Sequence, residues 1–182
     1  NSHYSKHWDV FDENFRACLR DSNSMENFRN NNISYLLDDN NTKVSSEIIN
    51  LYVDQLLLKV DSDFINKFKE GKIGNPRVFK SKIGLIDYND IFLLNFFQTL
   101  RPFMEKNERI IYAEVGGGYG GLANKVKLYN TNSCICLFDL PEVNAISHFY
   151  LKKNFPSSRI FTFTDFCNVK YKLDLQSISL EY

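Results

Sequence analysis

Five of the eight glycines in this chain lie between positions 116 and 121, directly after a short apolar segment. That segment, residues 110–115, is rich in amino acids that favour β-strands, so it predicts a buried strand. Residues 122–129 repeat apolar side chains at helical spacing and predict a helix. A strand, a glycine turn and a helix in succession leave unpaired backbone N–H groups, which favour an anionic or carboxylate-bearing ligand. We therefore expect the ligand site at this turn.

The turn fits two known spacings at once. Gly116, Gly118 and Gly121 form the dinucleotide-binding pattern, whereas Glu114 with Gly116, Gly118 and Gly120 forms an acidic pattern. Glu114 ends an apolar strand, where a buried carboxylate without a partner is costly, so a cationic or donating partner is expected. A pyrophosphate would be repelled by this charge, and the amino group of a methionine moiety would be attracted. A turn that only allows close packing stays an alternative.

A second acidic residue, Asp139, follows the next predicted strand, 23 positions after Gly116. A carboxylate at this distance accepts hydrogen bonds from both ribose hydroxyls in NAD enzymes and in methyltransferases, so Asp139 predicts nucleoside binding without choosing the cofactor. The alternative is that it caps the next helix, because Pro141 and Glu142 suit a helix start.

Two motifs carry a resemblance to a known family. Residues 114–123, Glu-Val-Gly-Gly-Gly-Tyr-Gly-Gly-Leu-Ala, and residues 138–143, Phe-Asp-Leu-Pro-Glu-Val, resemble class I S-adenosylmethionine-dependent methyltransferases. Together the two motifs also resemble the sugar O-methyltransferases of bacterial surface-polysaccharide gene clusters, and this resemblance covers roughly residues 110–166.

The resemblance implies S-adenosyl-L-methionine as cofactor and a sugar or related hydroxyl as acceptor. It also implies that Leu140 packs on the adenine, that Asp165 accepts from its amino group and that Phe166 contacts the ring. An exposed turn aspartate is the alternative for Asp165. The full set of predicted cofactor-binding residues is Glu114, Gly116, Gly117, Gly118, Gly120, Asp139, Leu140, Asp165 and Phe166.

The expected fold class is α/β, with a Rossmann-like class I methyltransferase sheet that is incomplete in this chain. Residues 108–182 are expected to hold the first part of that cofactor domain, with strands at 133–138 and 159–163 and a helix at 142–154. Residues 1–107 are expected to be mainly helical and to cover the domain, shape the substrate pocket or form a homodimer face. Within them, residues 73–79 predict a loop that reaches the active-site mouth. The remaining strands are expected beyond Tyr182.

The composition limits the classes of binding partner and the location that we expect for this protein. Lys plus Arg and Asp plus Glu both number 22, so the net charge is zero and neither nucleic acid nor an anionic membrane is favoured. The four cysteines lack metal-ligand spacing and predict reduced thiols in a cytoplasmic protein. No stretch approaches the roughly 18 apolar residues of a membrane span.

The sequence therefore predicts an S-adenosylmethionine-dependent O-methyltransferase that acts without a metal. None of the histidines, His3, His7 and His148, is assigned as the catalytic base. The base is expected beyond Tyr182. Two alternatives stay open: an NAD(P)-dependent oxidoreductase that uses the same glycine turn, and a non-catalytic interaction module with a degenerate nucleotide fold.

Overall fold

The structure is a computed structural model, and it describes residues 13, 15–30, 46–69, 71–104, 108–162 and 164–165. These residues form a mixed α/β arrangement with two small sheets, which confirms the α/β class and leaves the Rossmann-like methyltransferase sheet a prediction. The helices are α1 (Ser22–Glu26), α2 (Ser46–Leu57), α3 (Ser62–Phe68), α4 (Tyr88–Leu100), α5 (Gly121–Tyr129) and α6 (Pro141–Asn154). The strands are β1 (Val78–Ser81), β2 (Gly84–Asp87), β3 (Ile111–Val115) and β4 (Cys134–Phe138). No helix in these ranges is long and apolar enough to cross a membrane.

Strands β3 and β4 pair in parallel, from Ile111 opposite Cys134 to Val115 opposite Phe138. A parallel pair needs a crossover between its strands, and helix α5 supplies it. Helix α6 then follows β4 and begins with proline, whose fixed φ angle suits the first helical position. The strand, turn and helix predicted at 110–129 are confirmed, as are the predicted second strand and second helix.

A first hydrophobic core joins helices α2, α3 and α4 to α5, through Val126. A fully buried ion pair reinforces this junction: the Lys125 ammonium of α5 lies 2.8 Å from the Asp90 carboxylate of α4. The same ammonium donates to the carbonyl of Phe68 at 3.2 Å. The helix that follows the glycine turn is therefore anchored to the helices that precede the turn in the chain.

A second core packs residues 15–28 against helix α6, with Phe15, Phe28, Ile146 and Tyr150 buried in it. The Phe28 and Tyr150 rings meet edge to face, with centroids 6.1 Å apart. Both cores contain residues from before and after position 107, so the two segments that the sequence predicts share their interior.

The strand predicted at residues 110–115 was also expected to be buried, and that part of the prediction is wrong. Ile111 is 74% exposed and Val115 is 86% exposed, and Phe138 on the neighbouring strand is 58% exposed. Side chains alternate between the two faces of a strand, and only the face bearing Tyr112 and Ile135 packs against the first core. Within the described residues, nothing covers the opposite face.

Two further predictions need correction. Residues 159–162 form no strand, although their β-favouring side chains predict one; Phe163 lies outside the described residues. The predicted loop at 73–79 ends early, because Val78 and Phe79 belong to an antiparallel hairpin made by β1 and β2. The described residues hold one parallel strand pair, and the Rossmann-like sheet stays a prediction.

Candidate functional site

The glycine turn between β3 and α5 has three residues in the left-handed region, where glycine is favoured. Their φ angles are +75° at Gly116, +55° at Gly118 and +87° at Gly120. A Cβ added at Gly116 or Gly118 would meet nothing within 4 Å, whereas one at Gly120 would lie 3.3 Å from Leu151. Gly120 therefore allows close packing against α6, and the first two glycines leave open space above the turn that a ligand can occupy.

Asp139 ties the end of β4 to the glycine turn. Its Oδ2 accepts from the Gly118 N–H at 3.0 Å and its Oδ1 accepts from the Leu140 N–H at 2.8 Å. The N-cap position of α6 is Leu140, which makes no capping hydrogen bond through its side chain. Asp139 therefore stands beside the turn, and each carboxylate oxygen keeps acceptor capacity for a further donor.

Glu114 lies beneath the turn at the end of β3. A Cβ built on Gly117 would lie 3.5 Å from its Oε2, which shows how closely the carboxylate approaches the glycine backbone. Oε2 is buried and has no hydrogen-bond partner within the described residues. Burial raises the pKa of Glu114, a hydrogen bond with the Tyr112 side chain lowers it, and the Asp139 charge raises it again. The site therefore holds a buried acceptor without its donor.

The two carboxylates make the site anionic. Within the described part of the chain, neither Glu114 nor Asp139 forms an ion pair with a lysine or arginine. A positively charged ligand group would supply the missing donor and relieve the repulsion between the carboxylates. A negatively charged pyrophosphate would increase that repulsion.

The three residues expected to contact adenine have different surroundings. Leu140 is half-buried and packs against the second core. Asp165 is exposed, and it accepts from the Thr162 N–H at 2.7 Å and from the Thr162 hydroxyl at 2.6 Å. These hydrogen bonds, the hydroxyl's first, lower the pKa of Asp165. No hydrogen bond or ion pair joins Asp165 to the glycine turn among the described residues. Phe166 lies outside the described residues.

Sequence reasoning missed the contacts of Tyr119, the one residue between positions 116 and 121 that has a side chain. Its ring centroid is 5.6 Å from that of Phe28 and 5.1 Å from that of Tyr150. The Arg29 guanidinium carbon lies 5.2 Å from the Tyr119 ring centroid. A tyrosine flanked by glycines was the available signal for a packing contact, but nothing in the sequence identifies its partners.

The loop at residues 74–76, with the sequence Gly-Asn-Pro, meets the same region. The carbonyl of Gly74 accepts from the Arg29 N–H at 2.8 Å, and a Cβ on Gly74 would lie 2.4 Å from the Phe28 ring. Only glycine fits at position 74, since its φ of +81° is also left-handed. The loop thus contacts two residues, Phe28 and Arg29, that in turn contact Tyr119 in the glycine turn.

A separate cavity of about 400 Å³ opens near the start of β3, at the other end of the strand from the turn. Apart from the Tyr112 hydroxyl its side chains offer no hydrogen-bonding group, so we do not assign it a nucleoside. Its lining residues are Leu100, Phe103, Met104, Ile110, Ile111 and Tyr112.

No match was found when the chain was compared with models of protein families, with curated proteins and with solved structures. The functional assignment therefore depends on the geometry of the turn and on the resemblance of the two motifs.

Proposed function

We propose that this protein is a class I S-adenosylmethionine-dependent methyltransferase that transfers a methyl group to a hydroxyl of a sugar or surface-polysaccharide precursor. The observation that carries the proposal is the buried Oε2 of Glu114, which has no hydrogen-bond partner among the described residues and lies beneath a glycine turn beside Asp139. The acceptor class comes from the resemblance of the two motifs alone.

In this proposal each part of the site binds a different part of the cofactor. Glu114 binds the ammonium of the methionine moiety, directly or through water, and so acquires the donor that its buried oxygen lacks. The open space at Gly116 and Gly118 admits the ligand close to the backbone. The N–H groups at the start of α5 are assigned to its carboxylate because a helix N-terminus favours an anionic group. Asp139 accepts from the ribose hydroxyls. Leu140, like Asp165 and Phe166, is assigned to adenine by the resemblance.

Bound S-adenosylmethionine supplies an electrophilic methyl group on its sulfonium. The protein's task is then to hold the acceptor oxygen in line with the methyl group and to assist its deprotonation. We assign no residue as the base. The described site residues bind and orient the cofactor, and Glu114 and Asp139 favour its positive charge.

The anionic character of the site weighs against the nicotinamide alternative. NAD(P) would bring a pyrophosphate to the turn, where Glu114 and Asp139 already repel each other. A sulfonium nucleoside brings positive charge to the same place, so the electrostatics favour the methyltransferase.

Replacement of Asp139 by alanine tests the ribose assignment. A hydrogen bond to a charged acceptor contributes about 1.5–3 kcal/mol, so the loss of even one in Asp139→Ala should weaken S-adenosylhomocysteine binding by about tenfold or more. The matched control is Asp61→Ala, because Asp61 also accepts a backbone N–H, that of Phe64 at 2.7 Å, but caps helix α3 instead. The control should keep wild-type affinity. Unchanged affinity in Asp139→Ala, measured by titration calorimetry, would overturn the ribose assignment.

A further inference from the structure

Arg29 is a buried arginine at which three segments of the chain meet. It is 5% exposed, and its guanidinium forms an ion pair with Asp87 at the end of β2. The Nη1 group donates to the carbonyls of Gly71 and Ile73, each at 3.3 Å. A guanidinium held at several points has little freedom to move, so it offers a fixed surface to its neighbours.

The neighbour on that surface is Tyr119, whose ring lies 5.2 Å from the Arg29 guanidinium carbon. Tyr119 stands between Gly118 and Gly120, and both glycines adopt left-handed φ angles. Glycines lose more conformational freedom on ordering than any other residue, so the turn has little intrinsic preference for one conformation. Tyr119 has the only side chain beyond hydrogen at positions 116–121, so it is the residue of the turn whose side chain can pack against a partner and hold the turn.

We infer that Arg29 is a positioning residue for the glycine turn: it contacts the Tyr119 ring and thereby holds the turn in the conformation that binds the cofactor. The second half of this statement rests on the proposed function, and the first half does not. Arg29 itself touches no ligand in this account. It acts through Tyr119, 90 positions later in the chain, and so links residues 71–73 and strand β2 to the ligand site.

Two substitutions remove the contact in different ways. Arg29→Lys keeps a positive charge for Asp87 but loses the planar group that stacks on an aromatic ring. Tyr119→Leu keeps an apolar side chain in the second core and loses the ring, while the arginine keeps its ion pair. Tyr119→Phe is the conservative variant, since it keeps the ring that the guanidinium contacts.

The first readout is amide hydrogen exchange, measured without ligand. The Gly118 N–H bonds to Asp139 and the Gly120 N–H bonds to the Gly117 carbonyl, so both amides report whether the turn is closed. In Arg29→Lys and in Tyr119→Leu these two amides should exchange about tenfold faster, while Tyr119→Phe stays near wild type. Ile49→Val, a mild substitution in the first core, is the control for general destabilisation and should not accelerate exchange at the turn selectively.

The second readout is S-adenosylhomocysteine affinity in the same variants. We expect Arg29→Lys and Tyr119→Leu to bind about tenfold more weakly, with Tyr119→Phe restored to near wild type. Unchanged exchange at both amides, or equal acceleration along the whole chain, would overturn the inference. Faster exchange with unchanged affinity would overturn its second half. If the wild-type chain binds no S-adenosylhomocysteine, the proposed function fails, and exchange still decides whether Arg29 holds the turn.

Discussion

Replacing Glu114 by glutamine should weaken the binding of ligands that carry an amino group and spare those that do not. The substitution keeps the size of the side chain and one acceptor oxygen but removes the negative charge. A hydrogen bond to a charged group contributes about 1.5–3 kcal/mol, so the loss corresponds to roughly 10- to 150-fold in affinity. The estimate applies because Oε2 is buried and has no other partner among the described residues.

Two ligands separate this effect from general damage to the site. S-adenosylhomocysteine has an amino acid moiety, whereas 5′-methylthioadenosine has the same adenine and ribose without it. In titration calorimetry, Glu114→Gln should lose affinity for the first ligand and keep it for the second. Glu26→Gln, which removes an exposed carboxylate 3.0 Å from Lys153, is the matched control and should change neither. Equal losses for both ligands, or no loss for either, would refute the role given to Glu114.

The pH dependence of Glu114 follows from its environment. Burial raises its pKa in the folded protein above the ordinary value of 4.5. The unfolded chain therefore loses this proton first, and the contribution of Glu114 to stability falls as pH rises from about 4.5 through the raised pKa. As pH rises over this interval, the free energy of unfolding of Glu114→Gln should therefore increase relative to that of wild type. Ligand affinity in wild type should rise over the same interval, since the ionised carboxylate attracts the ammonium. If the difference in free energy of unfolding between wild type and Glu114→Gln stays constant over this pH interval, the buried environment given to Glu114 is contradicted.

Three further predictions concern the scaffold. Gly74→Ala should lower the free energy of unfolding by at least about 2 kcal/mol, measured by urea denaturation, because its Cβ meets Phe28 at 2.4 Å and its φ is +81°. Lys125→Met should lower the free energy of unfolding by about 3–5 kcal/mol, since it leaves the buried Asp90 carboxylate without its cation. A double variant that also carries Asp90→Leu should recover much of this loss, and no recovery would argue against the ion pair. Cys18 is buried and its pKa is raised by burial to about 11, so at pH 8 it should react with a thiol reagent more slowly than the exposed Cys134.

The part of the fold that the sequence predicted best is the one with strong local signals. The glycine cluster, the apolar strand before it and the periodic helix after it are all contiguous, and each is consistent with the next. The same holds for the strand and helix on either side of Asp139. Local pattern was enough here because the crossover that joins β3 to β4 is short.

The errors arose where the outcome depends on distant partners. Residues 159–162 have β-favouring side chains, but a strand also needs a neighbour to pair with, and none of the described residues pairs with them. The hairpin of β1 and β2 was missed because its turn at Lys82 and Ile83 lacks the usual Asn-Gly or Asp-Gly signal.

The residues of the candidate site also fall into those that local sequence suggested and those that depend on distant partners. Spacing made Glu114, Asp139 and the glycines the candidates, and the structure places them next to one another after the two paired strands. Arg29 was not identified, because its ion pair with Asp87 joins residues 58 positions apart and a polar, asparagine-rich stretch gives no sign of burial.

The most direct test of the central claim is a titration of this chain with S-adenosylhomocysteine beside a matched titration with NAD, after circular dichroism has shown that the chain is folded. We predict saturable binding of S-adenosylhomocysteine and no saturable binding of NAD. Binding of NAD alone would contradict the role of Glu114 and favour the oxidoreductase. A folded chain that binds neither ligand would contradict the methyltransferase and favour a non-catalytic interaction module.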